Sequence, residues 1–144
     1  MIAVDTNLLV YAHRRDSAWH EAASGALRGL AEGRGAWAIP WPCLHEFLAI
    51  VTHPRIFSPP TDLADALAQI DAWLAAPGVS TLAETARYWR SLHEMVDASQ
   101  TTGPRIHDAR VAALCHCHGV RELWTADRDF SRFPAVTVRN PLVS

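Results

Sequence analysis

The sequence predicts an α/β protein, an α/β/α sandwich built on a short, mostly parallel sheet of four to five strands. Three observations carry this prediction. The apolar runs that read as strands are only three to five residues long. Between most of them lie stretches of ten or more residues with helical periodicity, the alternation expected of a parallel sheet covered on both faces. The 144-residue length, with 49% hydrophobic and 19% charged residues, suits one domain with a core of its own, spanning residues 1–144.

Taken in order, Ile2, Ala3 and Val4 form a strand that stops at Asp5-Thr6-Asn7, residue types of turns and caps. Trp19, Ala22, Ala23, Ala26, Leu27 and Leu30 repeat at i, i+3, i+4, i+7, i+8 and i+11, an amphipathic helix over residues 17–33 closed by Gly33 and Gly35. Residues 36–40 read as a second strand, and residues 42–51 as a helix with Pro42 in its first turn. After a Pro-rich loop, Thr61 is expected to cap a helix with Leu63, Ala66, Leu67, Ile70 and Leu74 on one face. Pro77-Gly78 ends it, and residues 79–81 form a third strand. Leu82, Ala86, Trp89, Leu92 and Val96 line a helix that runs out near Ser99. Beyond Gly103-Pro104, residues 105–118 are helical with Gly119 as C-cap, residues 122–125 form a fourth strand, and residues 136–138 a short fifth.

Composition excludes several classes. No apolar run approaches the roughly 20 residues of a membrane span. Arg14 and Arg15 follow the apolar opening instead of preceding it, the reverse of a secretory signal. Cys43, Cys115 and Cys117 form no even disulfide framework, which favours a reduced, cytoplasmic setting. The net charge of −2 argues against a nucleic-acid partner only while the positions of the acids are ignored.

Those positions are informative. In open parallel sheets, ligands gather at the carboxyl ends of the strands near the topological switch point. Asp5 follows the first strand and Asp127 the fourth, while Glu46 and Asp108 sit in or near helix first turns, all among apolar neighbours. Clustered carboxylates repel unless a cation neutralises them, and an all-oxygen set with room for water suits Mg²⁺ or Mn²⁺ better than Zn²⁺. Each acid also has a plainer reading: Asp5 as a helix cap, Glu46 and Asp108 as partners of helix dipoles, and Asp127, or Asp129 two positions on, as a turn residue.

The motifs Val4-Asp5-Thr6-Asn7-Leu8-Leu9, Leu44-His45-Glu46-Phe47, His107-Asp108-Ala109 and Thr125-Ala126-Asp127-Arg128-Asp129-Phe130 resemble those of PIN-domain ribonucleases, above all the VapC-type toxins of toxin–antitoxin pairs. The resemblance runs from Met1 to about Leu142. It implies a PIN-like fold and a metal-dependent endoribonuclease that leaves 5′-phosphate and 3′-hydroxyl ends. Asp5, Glu46, Asp108 and Asp127 become its acidic quartet, with Asp5 and Asp108 nearest the Mg²⁺ or Mn²⁺. Thr6, Thr125 and Asp129 become supporting residues. An antitoxin partner and a homodimer are implied as well. Substrate phosphates fall to arginine, because all 13 basic residues are arginine. Arg14, Arg15, Arg105, Arg110 and Arg128 lie near the acidic motifs, and Arg110 ranks first by proximity to Asp108.

Two other readings compete. A haloacid-dehalogenase-like phosphatase also places an Asp after its first strand, but usually needs a lysine, absent here, and has a second Asp where this chain has Asn7. A catalytically inactive dimeric interaction module is the other. The run Cys115-His116-Cys117-His118 does not read as a zinc site, because consecutive residues point around a helix. Trp19, Trp73 and Trp89 are expected in helix packing, and Trp41, between two prolines, on the surface.

Overall fold

The first strand of the chain is the middle strand of its sheet. In the computed structural model, which describes residues 1–143, β1 (Ile2–Val4) is flanked by β2 (Trp37–Pro40) and β3 (Val79–Leu82) on one side. On the other side lie β4 (Glu122–Trp124) and β5 (Val138–Arg139), giving the order β3-β2-β1-β4-β5 with every ladder parallel. The last residue of the predicted domain, Ser144, lies outside the described residues. Ala3, Val4, Trp37, Ala38, Ile39 and Leu123 are fully buried, so the inner strands show no polar face. Such strands need helices on both sides.

Six helices connect them: α1 (Thr6–His13), α2 (His20–Glu32), α3 (Trp41–Val51), α4 (Leu63–Leu74), α5 (Tyr88–Ser99) and α6 (Ile106–Cys117). Leu8 and Leu9 of α1, Leu44, Phe47 and Val51 of α3, and residues 111–115 of α6 supply much of the core. Phe47 meets Trp73 of α4 edge-on at 4.8 Å between ring centroids, with His13 against it at 5.3 Å. Cys115 is buried in this core.

Four expectations are corrected. The helix expected from Leu82 begins at Tyr88, because Leu82 ends β3 in register with Pro40. The face of α5 is then set by buried Ser91 and Met95, which leaves Trp89 67% exposed at its outer end. Trp19 is likewise exposed just before α2, while Trp73 packs as expected and Trp41 is exposed. Thr61 does not cap α4: Asp62 occupies that position without a side-chain hydrogen bond, and the Thr61 hydroxyl is taken by His13 Nε2 and by Arg14. The fifth strand lies at Val138–Arg139, because the backbone of Thr137 and Arg139 accepts from Leu123 and Thr125 of the β4 segment.

Candidate active site

The chain order steps from β1 outward to β2 and β3, then returns across the centre to β4 and β5. The reversal leaves a crevice between the carboxyl ends of β1 and β4. Asp5 and Thr125 sit at its floor. The Asp5 N–H donates to Trp124 C=O at 3.0 Å, the last rung between the two strands, and the chain then turns into α1 with Asp5 as N-cap.

The carboxylate of Asp5 is 7% exposed and held by four donors. Oδ1 accepts from Thr6 N–H at 2.8 Å and from the Cys43 thiol at 3.5 Å. Oδ2 accepts from the Thr125 hydroxyl at 2.8 Å and from Asn7 Nδ2 at 3.3 Å. Burial nonetheless dominates: it pushes the carboxyl from its ordinary 3.8 up to about 6, against these hydrogen bonds and with a smaller push from Glu46. Burial first, and the Asp5 charge second, drive the Cys43 thiol well above its ordinary range, so Cys43 donates as a neutral S–H.

Thr125 is the hub. Its hydroxyl donates to Asp5 and accepts from Asn7 Nδ2 and from Asp127 N–H, both at 3.0 Å. Asn7 closes the loop by accepting Ala126 N–H on Oδ1 at 3.1 Å. Asp127 thus hangs from the end of β4, and its Oδ1 accepts Asp129 N–H at 2.8 Å, capping the 3-10 turn Arg128–Arg132. Asp129 in turn forms an ion pair with Arg105. From the other side Glu46, exposed on α3, accepts the Thr6 hydroxyl on Oε2 at 3.2 Å. Asp108 stands half-buried in the first turn of α6, beside the 3-10 turn Gly103–Arg105, where Gly103 takes φ +67°. Burial first, then Asp127, Glu46 and Asp129, raise its carboxyl, and Arg105 opposes them.

The structure therefore brings Asp5, Thr6, Glu46, Asp108, Thr125, Asp127 and Asp129 to one edge of the sheet. It sends two of the arginines elsewhere. Arg110 faces Glu84 at 3.5 Å, next to Tyr88 on the α5 side of α6. Arg14 grips Asp16 with two nitrogens, at 2.9 and 2.6 Å, and lies over the Phe57 ring. Arg128 is exposed in the turn after Asp127. Asn7 and Cys43 are the site residues that sequence reasoning missed. The signal for Asn7 was present, since a carboxamide two residues after a strand-end Asp is placed to bridge to the neighbouring strand. Nothing in the sequence marks Cys43. Among the described residues, no three His, Cys, Asp or Glu side chains converge tightly enough to hold an ion by themselves. No described helix is long and apolar enough to cross a membrane.

Comparison with known proteins bears on this geometry. The PIN domain family matches residues 2–136. Ribonuclease VapC43 of Mycobacterium tuberculosis is 37% identical over 142 residues, 99% of this chain and 96% of that protein. The fold is similar to that in the crystal structure of VapBC2 from Rickettsia felis bound to a DNA fragment from its promoter. There the TM-score is 0.71 and the identity 21%, over 97% of this chain and 98% of that one. It is also similar to VapC20 of Mycobacterium tuberculosis, a sarcin–ricin loop cleaving toxin, with TM-score 0.67 and 19% identity over 91% of this chain and 93% of that one.

Proposed function

The chain belongs to the PIN-domain family, and on that premise we propose that it is an endoribonuclease, the toxin of a toxin–antitoxin pair. It hydrolyses RNA phosphodiester bonds at the cluster of Asp5, Glu46, Asp108 and Asp127, with Mg²⁺ or Mn²⁺ as its cofactor. The observation that carries this reading is the meeting of two strand-end acids at the switch point with two helix-borne acids. These are the four positions to which the motifs' resemblance to that family assigns its acidic quartet.

The donor set fits such an ion. It consists of carboxylates backed by hydroxyl and carboxamide groups, all hard oxygen ligands. Mg²⁺ keeps several waters and takes only one or two carboxylates directly, so it does not need three side chains converging on one point. Asp5 and Asp108 would hold the ion directly, and Glu46 and Asp127 through water. When bound, a divalent ion lowers the pKa of water and offsets charge on the attacked phosphate and the leaving oxygen.

The rest falls to the protein's own groups. Thr6, Asn7, Cys43 and Thr125 hold Asp5 so that it cannot swing away, and the Thr6 hydroxyl keeps Glu46 turned toward the same crevice. Glu46 has its second oxygen clear of that bond, and there it orients the attacking water and receives its proton. Asp127, tethered by Asp129 N–H, aligns the water from the β4 side. The products carry 5′-phosphate and 3′-hydroxyl ends.

The exposed apolar residues Leu63, Leu67 and Leu74 on α4, and Trp89 on α5, supply surfaces that an antitoxin and a second copy of the chain would cover. The same reading takes the whole chain as one nuclease domain working in the cytoplasm.

The test is cleavage of a single-stranded RNA by the purified chain. We expect activity with Mg²⁺ or Mn²⁺, none in EDTA, and a loss of at least about a hundredfold in Asp5→Asn and in Asp108→Asn. Full activity in EDTA, or in Asp5→Asn, would overturn the proposal.

A further inference from the structure

We propose that Arg105 is the phosphate-binding residue of this site: its guanidinium, held at the rim of the acidic crevice by Asp129, receives an RNA phosphate next to the bond that is cut. The inference rests on the ribonuclease reading above. The chain has 13 arginines and no lysine, so any cationic side chain that meets RNA is an arginine. The structure sorts the arginines near the acidic motifs by direction. Arg14 is 11% exposed, with its fork occupied by Asp16. Arg110 is turned to Glu84.

Arg105 is placed differently. It ends the 3-10 turn that leads into α6, three residues before Asp108, a spacing that puts both on one side of the helix start. Its partner Asp129 has its backbone N–H on the Asp127 carboxylate. The Arg105–Asp129 pair therefore spans from the helix that carries Asp108 to the turn that carries Asp127. Both side chains are nearly half exposed, at 45% and 46%, so the pair lies open to a ligand.

The chemistry follows from this placement. Asp129 engages Nη1, and a guanidinium carries five N–H donors in a planar fork, so other donors remain for a phosphate. RNA approaching four carboxylates meets repulsion on every side, and Arg105 is the cation whose charge is felt at Asp108. A stabilising surface salt bridge is the competing role. An exposed pair of this kind adds little to stability, so removing it leaves a folded protein in which binding can be read cleanly.

The experiment measures binding of a fluorescent single-stranded RNA oligonucleotide by anisotropy, in EDTA so that no strand is cut, across about 50–200 mM salt. Wild type, Arg105→Ala, Arg105→Lys and the charge control Arg34→Ala are compared. Arg34 lies in the turn before β2, at the opposite edge of the sheet. Each phosphate contact contributes about 0.7 to the slope of log affinity against log salt for a single strand. Arg105→Ala should weaken binding about tenfold at low salt and flatten the slope by about 0.7. Arg105→Lys should keep the slope, and Arg34→Ala should match wild type.

Equal binding by wild type and Arg105→Ala would overturn the proposal. So would an equal loss in Arg34→Ala, or no measurable binding by wild type. Metal-dependent cleavage by wild type and Asp5→Asn, run alongside, reads the ribonuclease assignment separately, because both proteins keep Arg105.

Discussion

Asp5 makes the metal-free protein less stable as the pH rises, and the size of the effect can be worked out. In the unfolded chain its carboxyl titrates at its ordinary 3.8, whereas burial in the folded chain pushes it up to about 6. Between these values the folded chain holds a proton that the unfolded chain has released. Stability therefore falls as pH rises through that window and levels off above about 6. At about 1.4 kcal/mol per pH unit the full window amounts to about 3 kcal/mol, of which about 2 kcal/mol lies between pH 4 and pH 7. Asp108 adds a change of the same sign, since its carboxyl is also raised. The carboxyls of Asp16 and Asp129 are lowered by Arg14 and Arg105, so their opposite contributions are complete below this window. The assay is urea unfolding in EDTA at half-unit steps from pH 4 to 7.5, on wild type and Asp5→Asn. With an m-value of about 2 kcal/mol/M, the wild-type midpoint should drop by about 1 M relative to the variant across the series. Parallel curves for the two proteins would refute the reasoning, because they would mean that burial of Asp5 imposes no penalty on its charge.

Two further outcomes test the architecture around that carboxylate. Thr125→Val removes the hydroxyl that joins Asp5, Asn7 and Asp127 N–H, and should lower stability by about 1–3 kcal/mol in urea unfolding. Its cleavage rate should fall about a hundredfold, because Asp5 and Asp127 lose their common anchor. Phe47→Ala should cost about 3–5 kcal/mol by opening a cavity beside Trp73, whereas Trp89→Ser should stay within about 0.5 kcal/mol in the same assay, since Trp89 is 67% exposed.

The acidic edge was legible because parallel-sheet physics ties function to strand ends, and strand ends show in the sequence as apolar runs stopped by Asp, Thr and Asn. Asp5, Thr125 and Asp127 need no more than that rule to be found. Directions of side chains were less legible. Arg110 stands two residues from Asp108, close in sequence but about 200° round the helix, so it faces α5, while Arg105 at three residues shares its side. Trp89 reads as packed only when Leu82 and Ala86 belong to its helix, but Leu82 pairs with Pro40 in the sheet. Thr61 has the composition of a cap, but His13 and Arg14 reach its hydroxyl from another helix. Such long-range competition leaves no local trace.

The bond from Thr125 to Asp5 joins residues 120 apart, nearly the two ends of the chain, across the middle of the sheet. A growing chain carries Asp5 from the outset, but that carboxylate lacks its Thr125 donor and its neighbouring strand until Glu122–Trp124 has been made and laid beside β1. Any product that stops before Glu122, whether from interrupted synthesis or from proteolysis, lacks β4, Thr125 and Asp127 together. The site thus cannot assemble until the chain has been made through Asp127, long after Asp5.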